Sequence, residues 1–386
     1  MKDPKGMRFL IVDDMSNMVR TVRNMLRHLG YQHTMEAEDG VSAWKVLKNN
    51  KIDFVIADWN MPNMTGIDLL RKIRLDSDLR DIPFLMVTAE IAEETVAEAA
   101  ETEVDGYIIK PFVAKVLGEK IKNILEKRDN PSEVDTFMKL GNVYFKSGML
   151  DNALKEYEKA LKVNPNSSRV HCALGGVFQE QGKTDQAEKS YKKAVEHGPK
   201  YLKAHEGLAR VYEVKGEKDK AITAMKEAVE ISPKNSERQG GFGKMLLEKG
   251  DLEEAKEAFS MAVMADPQNM SVRTEIGNAF LDKGMSEDAE TIFKQALEVN
   301  PQRVEIYNRL GIALRKQGKF QIAIREYQRA LEIDPDDENV HYNLGRTYIE
   351  AGMIADAIRE FEEAVRLYPD FEEAKVLVQS LREKVK

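Results

Sequence analysis

Proline recurs at positions 165, 199, 233, 267, 301, 335 and 369, always 34 residues apart, and this period constrains the chain more than any other feature. Glycine keeps the same step at 148, 182, 216, 250, 284, 318 and 352, and alanine does so from Ala153 to Ala357 and again from Ala160 to Ala364. A fixed period of this length signals stacked supersecondary units, each too small to bury its apolar face alone. In every unit two helical stretches flank the glycine, and the proline stops the second. Small residues hold one equivalent site: Gly141, Gly175, Ala209, Gly243, Gly277, Gly311 and Gly345. Aromatics hold another, at Tyr157, Tyr191, Phe259, Phe293, Tyr327 and Phe361, with Met225 as the exception. The period predicts seven helix pairs, 134–167, 168–201, 202–235, 236–269, 270–303, 304–337 and 338–371. Residues 372–386 read as one more helix, with Gln379 and Arg382 where earlier units place glycine and an aromatic or leucine. A polar last helix can close the apolar end of such a stack.

The first 128 residues follow a different grammar. Short apolar runs at 9–12, 54–57, 84–87 and 107–109, with 34–37, make five strand-like segments. Helical patterns intervene at 17–29, 41–47, 66–73, 92–101 and 114–127. Apolar runs of this length between helices are buried parallel strands. The expected fold is therefore α/β, a doubly wound five-stranded parallel sheet of flavodoxin-like form over 1–128, followed by an all-α superhelical solenoid. The linker, 129–133, is too brief to let the two parts wander independently. Within it Ser132, three residues before Asp135, suits a helix start.

In an open parallel sheet the ligand site lies beyond the carboxyl ends of the strands. Asp13, Asp14, Asp58, Thr88 and Lys110 all fall there. Carboxylates this close repel one another unless a divalent cation joins them. With Mg2+ the cluster becomes a device for taking a phosphoryl group onto a carboxylate.

Composition narrows the function further. The net charge is −8, divided as −2 up to Arg128 and −6 beyond it. Neither part has the basic excess of a nucleic-acid binder. The single cysteine, Cys172, rules out an internal disulfide and favours a reducing compartment. The start lacks an apolar signal region, and no run approaches a membrane span, so a soluble cytoplasmic protein without membrane insertion is expected.

The runs Phe9-Leu-Ile-Val-Asp-Asp14, Ile56-Ala-Asp-Trp-Asn-Met-Pro-Asn-Met64, Val87-Thr-Ala-Glu90 and Gly106-Tyr-Ile-Ile-Lys-Pro-Phe112 resemble the receiver domains of bacterial two-component response regulators. The likeness spans 8–127 and is strongest to the chemotaxis CheY type; Thr65 replaces the usual acidic residue before Gly66. From Val134 the chain resembles tetratricopeptide repeats. The first resemblance implies Asp58 as phosphoacceptor, with Asp13, Asp14, the Asp58 carboxylate and the Asn60 backbone carbonyl around Mg2+. It implies that Lys110 pairs with the phosphoryl group, that Thr88 bonds a phosphoryl oxygen, and that Tyr107 turns inward when Thr88 moves. Such transfer needs positioning and charge neutralisation more than covalent help. A sensor histidine kinase or phosphotransfer protein is the implied donor. The protein would accept the group onto itself and remove it again, without turnover of an external substrate.

Weaker features stand beside these. Arg238-Gln-Gly-Gly-Phe-Gly-Lys244 is glycine-rich but is no phosphate loop, because the first motif glycine would fall at Arg238 and Met245 replaces the final Ser/Thr. It sits in the first helix of the fourth unit, where Gly240 and Gly241 suggest a hinge, a close approach by a partner backbone, or tolerated drift. Asn278, Arg309, Asn343 and Arg346 are expected on the concave lining of units five to seven, where they would grip an acidic or carboxylate-bearing segment of a protein or peptide. A solvated polar face is the alternative. The clamp by which some tetratricopeptide proteins hold a chaperone tail is not reproduced. His171, His205 and His341 share one repeated site, too far apart for a metal cluster, and read as packing residues. Two functions remain: a phosphorelay adaptor read out through the repeat groove, or a motility regulator. In the second, the face of the last strand and last two receiver helices binds flagellar machinery and the repeats localise it. A phosphorylation-dependent dimer through that face is also compatible, whereas no catalytic constellation supports an enzymatic output.

Overall fold

The computed structural model describes residues 6–89 and 104–385. The expected helix at 92–101 lies outside the described residues. Five strands, β1 (Arg8–Val12), β2 (His33–Ala37), β3 (Phe54–Asp58), β4 (Phe84–Thr88) and β5 (Gly106–Ile109), form one parallel sheet in the order β2-β1-β3-β4-β5. Helices α1 (Ser16–His28), α2 (Gly40–Asn49), α3 (Gly66–Leu75) and α4 (Ala114–Asp129) cover it. Burial follows the two-residue strand period. Leu10, Val55, Ala57, Phe84 and Met86 pack with Ala43, Leu47, Ile67 and Leu70 on the α2–α3 side. Phe9, Ile11, Phe54, Ile56, Leu85 and Val87 pack with Val22, Leu26, Leu117 and Ile121 on the α1–α4 side. Each such side chain contributes about 1.5–3 kcal/mol by leaving water.

The chain divides into two compact units, 1–233 and 234–386. The first holds the sheet and three helix pairs: α5 (Glu133–Lys146) with α6 (Leu150–Val163), α7 (Ser168–Glu180) with α8 (Thr184–His197), and α9 (Leu202–Lys215) with α10 (Lys218–Ile231). The second holds four more: α11 (Ser236–Lys249) with α12 (Leu252–Ala265), α13 (Met270–Asp282) with α14 (Ser286–Val299), α15 (Val304–Lys316) with α16 (Phe320–Ile333), and α17 (Glu338–Glu350) with α18 (Ile354–Leu367). A last helix, α19 (Glu372–Val385), packs on α18 through the buried Ala374 and Leu381. Ser132 does start α5, its hydroxyl accepting from the Asp135 N–H at 3.1 Å.

Two glycine positions explain the period. The glycine between the helices of each pair takes a left-handed φ, from 71° at Gly182 to 104° at Gly250, which ends the first helix without a Cβ penalty. The glycine inside the first helix leaves room for the aromatic ring of the second. A Cβ would lie 2.3 Å from the Tyr157 ring at Gly141, 2.4 Å from Phe293 at Gly277 and 2.4 Å from Tyr327 at Gly311. The third pair inverts the arrangement, with Ala209 opposite the slimmer Met225. There Gly207, two residues before Ala209, makes room for Tyr191 of the preceding pair, whose ring a Cβ would meet at 2.4 Å.

The repeated histidines are structural ties. His171 Nε2 lies 2.8 Å from the Pro165 carbonyl, His205 Nε2 2.7 Å from that of Pro199, and His341 Nε2 3.0 Å from that of Pro335. Each imidazole joins the start of one pair to the proline turn before it. His341 Nδ1 also faces Glu360 Oε2 at 2.7 Å. Both ring nitrogens thus meet acceptors, which only the imidazolium satisfies. Burial alone would lower its pKa, but the Glu360 and Pro335 bonds outweigh burial and raise it. The helix α11 runs through the glycine-rich stretch without a break, and a Cβ at Gly240 would make ordinary contact with Val272 at 3.4 Å.

Gly311→Ala should destabilise the protein by about 1–3 kcal/mol, because the Tyr327 ring is fully buried and cannot retreat. Urea unfolding checks this, and an unchanged midpoint would contradict the close approach. A second expectation concerns pH. Because the folded pKa of His341 is raised, its contribution is complete below the unfolded value and disappears as pH rises through the folded value. The stability gap between the parent and His341→Gln should therefore be widest near pH 5.5 and shrink towards pH 8.5.

Candidate functional site

Strand order reverses beside β1, where the chain leaves to β2 on one side and to β3 on the other. At such a switch point the loops after adjacent strands part and leave a crevice. Asp13 follows β1, Asp58 ends β3, Thr88 ends β4 and Lys110 follows β5. Lys110 Nζ reaches Asp13 Oδ2 at 3.0 Å and Asp58 Oδ1 at 2.5 Å. The second oxygens are held by backbone: Asp13 Oδ1 accepts from the Met15 N–H at 2.9 Å, and Asp58 Oδ2 from the Asn60 N–H at 3.1 Å. Asp13 is 4% exposed and Asp58 9%, and Thr88 is buried beside them on β4.

Burial raises the Asp58 carboxyl above the ordinary carboxylate range, and the Asp13 charge adds to this, against the opposing pull of Lys110. Burial would lower the Lys110 ammonium, but its bonds to Asp58 and Asp13 outweigh burial and raise it. The two groups stand as an ion pair at 2.5 Å.

Local sequence explains the placement. A Cβ at Gly66 would fall 2.1 Å from the Asp58 carbonyl, so only glycine lets α3 start so close to the end of β3. The Gly66 N–H donates to the Trp59 carbonyl at 3.0 Å and closes the 59–65 loop, while Thr65 caps α3 through the Asp68 N–H. Thr65, where an acid was expected by resemblance, thus serves as the helix cap. The Lys110–Pro111 peptide is cis.

The structure gathers Asp13, Asp58, Lys110 and Thr88, but not every expected residue equally. Asp14 is exposed, and among the described residues no group of three His, Cys, Asp or Glu side chains stands at metal-holding spacing. Lys110, rather than a third carboxylate, stands between the first two. Asn60 is exposed at the mouth of the crevice. Tyr107 is half-buried on β5, packed on the α2–α3 side, with Lys120 Nζ 5.4 Å from its ring centroid. The donor chemistry still fits Mg2+, which takes oxygen ligands, needs only one or two carboxylates and keeps several waters. Asp13, Asp58 and the Asn60 carbonyl would supply such a set, with Asp14 at its edge.

The four expected groove residues lie on α13, α15 and α17. Asn278, on α13, is half-buried with Oδ1 lacking a hydrogen-bond partner. Asn343 donates to Asn308 Oδ1 at 2.9 Å and ties α17 to α15. Arg309 is half-buried and Arg346 exposed. Sequence reasoning missed Arg315, nearly buried and ion-paired to Glu350 of the next pair. Its place late in a first helix carried no motif that would have marked it. Cys172 is half-buried, and burial pushes its thiol up to about 12, so it is no nucleophile.

The response regulator receiver domain model matches residues 9–122. Chemotaxis protein CheY-3 of Vibrio cholerae is 53% identical over 123 residues, 32% of this chain and 95% of that protein. Chemotaxis protein CheY of Pseudomonas aeruginosa is 52% identical over 121 residues, 31% of this chain and 98% of that protein. A tetratricopeptide repeat model matches 141–182, and the model described as the cilia and flagella-associated protein 70 C-terminal domain matches 166–381, more than half of the chain. The chain belongs to the response regulator receiver family and, through its second half, to this family of tetratricopeptide repeats. Among solved structures, the response regulator is similar to the CheY4 protein of Vibrio cholerae, with 30% identity, TM-score 0.29, and 31% of this chain and 98% of that one covered. It is also similar to a tetratricopeptide repeat protein of Parabacteroides merdae, with 18% identity, TM-score 0.42, and 65% and 99% covered. Receivers of the CheY type are generally Mg2+-dependent signalling domains rather than enzymes. Among the described residues no helix is long and apolar enough to cross a membrane.

Removing the Lys110 ammonium should raise the Asp58 carboxyl further, since its hydrogen bond and charge are the main influences that lower it. Carbon NMR titration of Lys110→Met against the parent reads this directly. A fall in the Asp58 value would contradict the pairing.

Proposed function

We propose that this response regulator accepts a phosphoryl group on Asp58 from a histidine kinase or phosphotransfer protein, in a Mg2+-dependent reaction, and that its repeats pass the change on by binding another protein. The observation that carries this reading is the Lys110 ammonium set between Asp13 and Asp58 at the carboxyl ends of β5, β1 and β3. An oxygen of Asp58 attacks phosphorus, the bond from phosphorus to the donor nitrogen breaks, and that nitrogen keeps the electron pair. The Asn60 N–H on Asp58 Oδ2 fixes which oxygen is free to turn outward. Lys110 then exchanges its contact with Asp58 Oδ1 for one with the phosphoryl oxygens, keeping Asp13 as its second partner. Thr88 donates its hydroxyl to a phosphoryl oxygen, and Tyr107 on the neighbouring strand follows. Bound Mg2+ would supply charge neutralisation for the carboxylates and the incoming group. Water later hydrolyses the acyl phosphate, so the protein resets itself.

A motility role is the second reading, favoured by the names of the relatives at 53% and 52% identity, both chemotaxis proteins. In it the receiver's β5–α4 face binds the flagellar machinery and the repeats localise the protein. Intact mass after incubation with acetyl phosphate and Mg2+ tests what the two readings share. The parent should gain one phosphoryl group and Asp58→Asn none. Equal uptake by both would sink the assignment.

A further inference from the structure

Asp39, at the end of β2, takes no part in the chemistry just described, yet it is 7% exposed and fully engaged. Its Oδ1 accepts from the Ser42 N–H and hydroxyl, both at 2.7 Å, while its own N–H donates to Ser42 Oγ at 3.2 Å, a reciprocal cap on α2. Those bonds, the Ser42 backbone bond first, hold its carboxyl below the usual range, so it stays an acceptor. Its Oδ2 accepts from Asn63 Nδ2 at 2.6 Å.

Asn63 belongs to the loop that leaves the phosphoacceptor. Near its start stands Asn60, whose N–H holds Asp58 Oδ2, and it turns at Asn63, the one non-glycine residue with positive φ (64°) among the described residues. A second bond runs alongside, from the Gly40 N–H to the Met64 carbonyl at 3.1 Å. The approach is close enough that a Cβ at Gly40 would sit 2.6 Å from Met64. The start of α2 is thus clamped to the tip of the loop by one side-chain bond and one backbone bond. With Trp59–Gly66 closing its base, the loop is held at both ends.

We propose that Asp39 is a positioning residue for the phosphoacceptor: through Asn63 it fixes the 59–65 loop and with it the placing of Asn60 against Asp58. A carboxylate suits this task because a single side chain serves the helix cap and the loop from its two oxygens. Asn63 answers both demands at its position, since asparagine tolerates the left-handed backbone and carries the donor. The inference rests on the phosphotransfer reading for its consequence, but not for its geometry.

Asn63→Gly is the first variant, because glycine keeps the left-handed turn and leaves the Asp39 cap of α2 whole. The second exchanges the pair, Asp39→Asn with Asn63→Asp, so that asparagine caps α2 and donates to an aspartate in the loop. Hydrogen exchange of the metal-free full chain should show faster exchange at the Asn60 and Met64 amides in Asn63→Gly, with the α2 amides unchanged, and near-parental exchange in the swapped pair. Calorimetric Mg2+ titration should show affinity lowered about 10–100-fold in Asn63→Gly, the range for lost outer-shell partners, and largely regained in the swap. Parental Asn60 exchange in Asn63→Gly, or no recovery in the swap, would overturn the proposal. If the parent itself neither bound Mg2+ nor took up phosphoryl from acetyl phosphate, the phosphotransfer reading would fall. The exchange data would still decide whether Asp39 positions the loop.

Discussion

Lys110 reaches from the end of β5 to the ends of β3 and β1, and its ammonium meets Asp58 and Asp13 in a crevice that admits little water. Two carboxylates cannot be buried side by side without compensation, because desolvation and mutual repulsion both oppose their charge. The parallel sheet solves this by geometry. All strands end at one edge, so residues separated by 52 and 97 positions along the chain arrive at one ammonium. The buried strand cores make that arrival rigid, since a one-residue slip would turn every inward side chain outward.

The repeats obey a second constraint, and it is steric. A ring in one helix of a pair occupies the volume that a Cβ in the other would need. Neither position is free to change alone, which keeps the 34-residue pattern in step. Ala209 with Met225 shows the rule in reverse: where the small residue grows by a methyl, the ring opposite gives way to an unbranched side chain. Polar ties such as His341 to the Pro335 carbonyl then set one pair against the proline turn before it.

The sheet, the helix pairs and the coupling of Asp58 to Lys110 were legible in the sequence because each leaves a periodic or positional mark. Strand ends can be read from where apolar runs stop, and repeats from the recurrence of glycine and proline. The role of Asp39 left no such mark. Its partners Ser42 and Asn63 are 3 and 24 residues away, and only the folded loop brings them to opposite oxygens of one carboxylate. Spacing places Asp13, Asp14 and Asp58 at one sheet edge but does not say how deeply each lies; Asp13 and Asp58 are buried and Asp14 is exposed. The Asn343–Asn308 bond likewise joins neighbouring units in a way that a linear pattern does not display.

A phosphoryl group on Asp58 would meet a site whose charges are already balanced. Lys110 now divides its hydrogen bonds between two carboxylates; a third claimant carrying more negative charge must draw it away from at least one of them. The shift can bias a conformational equilibrium only by the difference in affinity between its two states, about 1–3 kcal/mol for typical couplings. That range is enough only if little is lost on the way. From β5 the chain enters α4, an unbroken helix from Ala114 to Asp129, and three residues later, after Pro131, Ser132 caps α5. Helices transmit displacement because their backbone bonds are internal, and a proline-bearing connection of three residues leaves little slack. The route from Lys110 to the first repeat therefore runs through elements that resist bending, which favours passing a small energetic bias onward over absorbing it.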